Sequence, residues 1–437
     1  MSATFRSLHV RNYRIWFAGG LTSNIGTWMQ RTAQDWIVLT QLTDHDAAAV
    51  GITMALQLGP QLVLMPISGL IADRANGRRM LMITQAIMGL LAVGLGAIVL
   101  AGVAQLWHVY LFALLLGITA TVDAPIRQTF VAELVSKKDL TNAVSLNSVS
   151  FHTARMIGPA VAGGLTVLVG AGWVFGINAL TFAATLIALS AIRVDELRPQ
   201  PIIPRAKGQI REGFRYVLGR PNIVVIMVMV ALIGTFGLNF SIYISTMATV
   251  EFGRGAGEFG ILSSVMAIGS VTGALLSARR ERPRIRLIVI SAALFGLSCA
   301  AAALAPTFEI FALCLTLVGI TSLTFMTTAN ATVQTTVNPR MRGRVMALYL
   351  AIFVGGTPLG APVVGWVVNE FGPRWGLGVA TASGLLAAAA GLVWMIKYQK
   401  LRVRLHRVSP RIRLTYGTDV QTASISIATD EASVTKT

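Results

Sequence analysis

GLIADRANGRRML, residues 69–81, is a short charged interruption between two long apolar runs. Asp73, Arg74, Arg78 and Arg79 stand where one hydrophobic segment stops and the next begins. In a chain with only 12% charged residues, an acid and three bases packed this closely belong at a membrane surface, where each pairs or snorkels to the headgroups. The stretch predicts a tight turn between two membrane helices, with Gly69 and Gly77 as its small positions.

Working outward from that turn, composition gives the class. The chain has 437 residues, 54% of them hydrophobic, and a mean hydropathy of +0.68, too apolar for an ordinary soluble protein. A membrane helix needs about 20 mostly apolar residues. Twelve such runs fall near 16–40, 47–71, 80–102, 105–130, 142–168, 172–192, 222–248, 256–278, 285–305, 308–333, 345–368 and 375–396. The expected fold is an all-α membrane protein with twelve transmembrane helices in two six-helix pseudo-repeat bundles. Its expected divisions are an N-terminal bundle (1–193), a cytoplasmic linker (194–221) in which REGFRYVL forms a short surface helix, a C-terminal bundle (222–400), and a partly disordered cytoplasmic tail (401–437).

The net charge of +18 does not point to nucleic acid, because of where the bases lie. Apart from Arg31, Arg127 and Arg155 in or near the membrane and Arg254 and Arg374 on the far side, every Lys and Arg falls in the termini or the even-to-odd loops. This is the positive-inside pattern, and it places both termini in the cytoplasm. The basic lead MSATFRSLHVRNYRIWF has no small-residue cleavage site after a short apolar core, so the first helix is expected to be retained. Cys299 and Cys314 fall in predicted helices and read as buried thiols. No Gly-x-x-x-x-Gly-Lys-Ser/Thr loop, metal-ligand spacing or nucleophile–base pairing is present, so neither an enzyme, a metal site nor a cofactor is expected.

The first span carries Trp28, Gln30, Arg31, Gln34, Asp35 and Trp36 together. Arg31 and Asp35 are four apart on one helix face and can pair. A charge at mid-bilayer costs at least about 2.5–3.5 kcal/mol, so such residues face a partner or a cavity. Two readings stand side by side: a structural ion pair, or a proton carrier at Asp35 tuned by Arg31. The fifth span adds Arg155 beside ARMIGPAVAGG, where Gly158, Pro159, Gly163 and Gly164 remove bulk and favour either plain close packing or a bend. Asn239, Ser241 and Tyr243 give the seventh span a polar face, and Asp123 lies near Pro125 toward the end of the fourth.

The Gly69–Arg79 turn resembles the loop between the second and third helices of the major facilitator superfamily, Gly-x-x-x-Asp-Arg-x-Gly-Arg-Arg, with one extra residue, Asn76, before Gly77. The opening segment resembles the enterobactin-exporter-like, multidrug efflux branch, through Asn24, Gly26, Trp28, Met29, Gln30 and Trp36. TTANATVQTTVNPRMRGRVMALYL, residues 327–350, is similar to the same branch, and its arginines also read as headgroup anchors. The usual Arg-x-x-x-Gly of the fourth helix is absent, and the antiporter-like Gly-Pro-x-x-Gly-Gly has an added residue between Pro159 and Gly163.

The resemblance implies a bacterial inner-membrane secondary transporter that exports a small organic molecule, such as a drug or siderophore, by proton-coupled antiport. Its partners would be protons, the substrate and the lipid bilayer, and it would act as a monomer. Proton-coupled uptake and a non-transporting receptor of the same fold are the rival readings. Substrate and proton would meet Gln30, Arg31, Gln34, Asp35, Arg155, Asn239 and Tyr243. Gly69, Asp73, Arg74, Gly77, Arg78, Arg79 and Asp123 would form the conformational hinge, with Asp123 pairing to a hinge arginine. Gly273 with Arg279 and Arg280 echoes the turn, and Pro358 or Pro362 with nearby glycines echoes Pro159, as a duplicated six-helix unit requires.

Overall fold

A computed structural model of the chain describes the backbone of residues 3–74, 76–136, 138–198, 209–278, 285–338, 341–399, 402–405 and 412–415. Arg279 and Arg280 of the echoed turn, Pro339, and most of the tail lie outside the described residues. So do the side chains of Asp73, Arg74 and His152 and the surroundings of Gly69.

The chain divides into two units, Met1–Gly391 and Leu392–Thr437. In the first, the helices are α1 (Arg11–Ile37), α2 (Ala47–Arg74), α3 (Gly77–Leu100), α4 (Leu106–Leu134), α5 (Leu140–Val169) and α6 (Ala171–Ser190). After the linker come α7 (Gln209–Leu218), α8 (Pro221–Leu232), α9 (Phe240–Thr246), α10 (Ala256–Ala278), α11 (Ile285–Ala303), α12 (Phe308–Thr336), α13 (Arg342–Phe371) and the start of α14 (Pro373–Gln399). The second unit holds the end of α14 and a short antiparallel ribbon of β1 (Arg402–Leu405) and β2 (Ile412–Thr415), with Arg402 opposite Thr415. Apart from this ribbon, the regular structure among the described residues is helical.

Among the described residues, ten helical segments are long and apolar enough to cross a membrane, with Pro221–Glu251 counted as one. Helices α1 and α5 are as long, at 27 and 30 residues, but carry Arg31, Asp35 and Arg155, which lower their hydropathy. These two pack on each other and on the neighbouring half of the chain. Helices α4, α5 and α6 begin at Leu106, Leu140 and Ala171, and α12, α13 and α14 at Phe308, Arg342 and Pro373, an offset of 202 residues in each case. Packing repeats with the same sense: α2 lies on α4 as α10 lies on α12.

The charged turn is built from local needs. Asn76, the added residue, is the N-cap of α3, its side chain accepting from the Arg79 amide at 3.0 Å; this satisfies one of the otherwise orphaned first-turn donors. Arg78 reaches across to the end of α6 and donates to the Leu189 and Ser190 carbonyls at 2.8 and 3.3 Å, groups that have no partner inside their own helix. Gly77 sits against Phe130 and Glu133 of α4.

At the same end, Ser7 donates from its amide to Asn142 and Arg6 pairs with Asp139 at 2.6 Å. A hydrogen bond from Ser136 and the Arg6 guanidinium hold the Asp139 carboxyl below the usual carboxylate range. Arg344, expected as a headgroup anchor, instead pairs with Glu212 of α7 at 2.6 Å, and the Tyr216 hydroxyl accepts from the Asn338 amide at 3.0 Å. The linker helix is thereby fastened to the start of α13.

The N-terminal and C-terminal halves of the sequence pack on each other along α2 with α13 and α5 with α10. Contacts among the described residues hold them together at the end that carries the α1–α2 and α13–α14 connections. Asn369 donates to Asp46 at 2.6 Å and accepts from the Ala47 amide at 2.8 Å, and Trp36 rests on Phe259 with ring centroids 5.3 Å apart. Gly163 makes this closure possible, because a Cβ there would stand 2.6 Å from the Gly260 Cα. Gly164 is exposed and a Cβ on it would meet nothing within 4 Å, so it takes no part in the expected packing motif.

Gly163→Val should therefore destabilise the protein by about 1–3 kcal/mol through overpacking, while Gly164→Val leaves it unchanged; thermal unfolding in detergent compares the two. A depressed carboxylate contributes stability above its ordinary value of about 3.9 and loses it as pH falls through the lowered one. The Arg6–Asp139 clasp should thus be intact at neutral pH and fail only in strong acid, whereas Asp139→Asn releases it at pH 7, read as faster amide exchange over residues 3–9.

Candidate substrate cavity

The site is built on a close approach between α1 and α5. Gly158 has no side chain, so α5 settles on the Trp28–Met29 backbone; a Cβ there would stand 3.0 Å from the Met29 nitrogen. One turn earlier, Arg155 then lies over the Trp28 ring, 5.3 Å from its centroid. Arg31, one turn after Trp28, covers the same ring at 5.2 Å. Two guanidinium groups thus share one indole, an arrangement favoured by the ring's negative face.

Facing them is the broken seventh span. Helix α8 runs into a π-helical turn, Ile233–Gly237, and the chain leaves helical geometry at Leu238 and Asn239 (φ −85°, ψ 46°) before α9 resumes. The break frees carbonyls that lipid could not satisfy. Thr357 donates to Gly234 at 3.2 Å, Asn239 donates to Thr235 at 2.8 Å, and the Tyr243 hydroxyl donates to Phe236. Gly356 and Gly360 bring α13 against the same turn, where a Cβ at Gly356 would lie 2.8 Å from the Thr235 nitrogen.

Two of the expected substrate contacts, Asn239 and Tyr243, lie at this break. Both are fully buried and donate to the backbone of their own break, while Asn239 Oδ1 has no partner among the described residues. The neighbouring Leu238, Phe240, Ser241 and Ile244 line the cavity instead.

The cavity has a volume of about 210 Å³ and lies between α1, α2 and α5 on one side and α9, α10 and α12 on the other. Arg31, Asp35 and Arg155 are its charged lining. Asp35 Oδ2 accepts from the Ser241 hydroxyl at 2.6 Å, a bond from α1 of one half to α9 of the other. Its Oδ1 and the Arg31 Nε are buried and have no partner among the described residues. Arg31 and Asp35, expected to pair, do not close an ion pair: Arg31 is turned to Trp28 and Asp35 to Ser241.

Gln30 and Gln34 are not part of this lining, and the Nε2 group of each is buried without a partner among the described residues. Gln30 accepts from Asn178 of α6 at 2.5 Å, and Gln34 accepts from Gln57 of α2 at 3.3 Å. Both hold the first half together, and it is Gln57 that reaches the cavity. Asp123 is likewise accounted for locally. Thr84, Gln85 and Arg127 donate to it at 2.7, 2.9 and 3.0 Å, so among the described residues its ion-pair partner is the arginine one turn along α4. Pro159 lines the cavity one residue after Gly158. The sequence reading passed over Trp28 as a cation platform, although Trp28 and Arg31 are three apart and so share a face; Gln57 and Phe240 gave no such signal.

A bundle of membrane-length helices, closed at one end and enclosing a charged cavity fed by a broken helix, is the architecture of a membrane transporter. The chain belongs to the transmembrane secretion effector family of the major facilitator superfamily, whose profile matches residues 2–419. It is a multi-pass secondary transporter and not an enzyme.

Among similar proteins, the staphyloferrin A transporter of Staphylococcus aureus (strain NCTC 8325 / PS 47) is 26% identical over 376 residues, 82% of this chain and 90% of that protein. The enterobactin exporter EntS of Escherichia coli O157:H7 (strain EC4115 / EHEC) is 24% identical over 383 residues, 87% and 90% of the two chains. A bacterial homologue of the human lysosomal transporter Spinster, solved inward-facing and unoccupied, superposes with a TM-score of 0.64 at 16% identity, covering 88% of this chain and 95% of that one. A D-xylose–proton symporter superposes at 0.67 and 16% identity, covering 87% and 96%. The last two establish shared fold alone.

Because Tyr243 serves the backbone, Tyr243→Phe should cost about 1–3 kcal/mol of stability by stranding the Phe236 carbonyl. Substrate affinity should hardly change. Thermal unfolding and a binding titration on the same preparation check both halves of that expectation.

Proposed function

We propose that this protein exports a small organic molecule of the siderophore kind across the bacterial inner membrane, by alternating access coupled to proton entry. Helices α1 and α5 join the ten apolar segments to make twelve crossings in two six-helix halves, with both termini in the cytoplasm and the monomer as the working unit. The single observation that carries the reading is Asp35, a buried acid lining the cavity, bonded through one oxygen to the opposite half and open at the other. Export as the direction draws on the relatives, one of which is named an exporter of enterobactin.

Asp35 supplies a physical means of coupling. A hydroxyl or amide of the substrate donating to its open oxygen favours the carboxylate, because a hydrogen bond to the charged form stabilises it. Substrate and proton then exclude each other, as antiport needs, where that hydrogen bond outweighs the repulsion between Asp35 and any negative charge on the substrate. A proton arriving from outside weakens Asp35 as an acceptor for Ser241 and loosens a tie between the halves on the closed side of the cavity. Taking that end as periplasmic, because the basic loops lie opposite it, we read this state as closed outward. The turn at Gly69, Asp73, Arg74, Gly77, Arg78 and Arg79 is proposed as the cytoplasmic latch of the opposite state.

Proteoliposomes with an imposed pH gradient test this, with labelled enterobactin as the first substrate. The wild type should move it in exchange for protons. Asp35→Asn should lose the proton-driven component and retain substrate–substrate exchange; unchanged proton-driven flux in the variant would remove Asp35 from the coupling role.

A further inference from the structure

The cavity carries more positive charge than it can answer for itself. Arg155 has no ion pair or hydrogen bond among the described residues, and its guanidinium lies over the Trp28 face. Arg31 is in the same position, with its Nε buried and unpartnered. A ring face attracts a guanidinium but leaves its in-plane N–H donors unused. The one acid in the lining, Asp35, is spent in part on Ser241. Two such cations side by side in a low-dielectric wall are unfavourable until a negative group completes them.

The rest of the lining fits the remainder of such a ligand. Phe240, Phe259, Met266 and Met326 are apolar and adaptable, and Met in particular repacks around varied shapes. A cationic ligand would face two arginines against one carboxylate in this lining.

We propose that the substrate is an organic anion, a carboxylate or similar planar oxyanion on an apolar or aromatic body, with its charge held between Arg31 and Arg155 at the edge of Trp28. This rests on the transport reading and names the substrate class for the same cavity. Planar oxyanions match the guanidinium fork, which Lys does not reproduce. An inside-negative membrane potential drives an anion outward, in keeping with export.

Isothermal titration of the full-length protein in an uncharged, phospholipid-free detergent tests the site, with naphthalene-2-carboxylate and its ring-matched cation, 2-naphthylmethylammonium. The carboxylate should bind, and the ammonium at least about tenfold more weakly; Arg155→Gln should weaken the carboxylate by at least about tenfold. Arg155→Lys should lose less, since it keeps the charge without the fork. Arg31→Gln carries the same expectation as Arg155→Gln, should one variant fail to fold. Equal or tighter binding of the ammonium, an unchanged carboxylate affinity in a folded Arg→Gln variant, or no binding of either probe at millimolar concentration would overturn the proposal. Carboxylate binding without flux in proteoliposomes leaves the anion site standing and sinks the transport reading; flux without carboxylate binding does the reverse.

Discussion

Everything in this protein is arranged around three charges placed where a membrane protein least tolerates them. Arg31, Asp35 and Arg155 line one cavity, and the fold neither pairs them fully with one another nor exposes them on its lipid-facing surface. The cost of such charges in a bilayer is recovered only by protein partners or by something that enters the cavity. Trp28 and Ser241 provide part of that compensation. What remains open, one carboxylate oxygen and the edges of two guanidinium groups, is the chemistry left for a ligand and a proton.

That arrangement depends on backbone features a long way from any charge. Gly158 lets α5 descend onto α1, which fixes both arginines on one indole. Gly163 lets α5 meet α10, which closes one end. The π-helical turn at Ile233–Gly237 swings Ser241 toward Asp35, and it is tolerable only because Asn239, Tyr243 and Thr357 take up the carbonyls it releases. Polar side chains of the seventh span therefore divide into two tasks: Asn239 and Tyr243 maintain the break, while Ser241 uses it.

Much of the fold was legible in the sequence, since hydropathy runs translate almost directly into helix ends. The run expected at 105–130 is Leu106–Leu134, and that at 285–305 is Ile285–Ala303. The charges of the site were legible too, because Arg31, Asp35 and Arg155 stand out against apolar neighbours. Their partners were not. Spacing suggested an Arg31–Asp35 pair, but spacing on one helix says nothing of a tryptophan face or a serine from another half. The neighbours of Gln30, Gln34 and Asp123 were hidden for the same reason: a buried polar group reads alike in sequence whether it meets a cavity or Asn178, Gln57 and Arg127. Asn76 looked like an insertion that blurred the turn, and only the helix start it caps gives it a purpose.

The central claim is that the Asp35 carboxylate ties the two halves at the closed end, and its most direct test is a distance. Spin labels at the exposed positions Asp44 and Glu370, on either side of the Asp46–Asn369 contact, report the separation there by double electron–electron resonance. With Asp35 intact, the account predicts a population dominated by the short, closed distance. In Asp35→Asn a longer component should grow, because the acceptor for Ser241 has lost its charge. Identical distance distributions in the two proteins would contradict the claim and leave Asp35 without a part in holding the halves together.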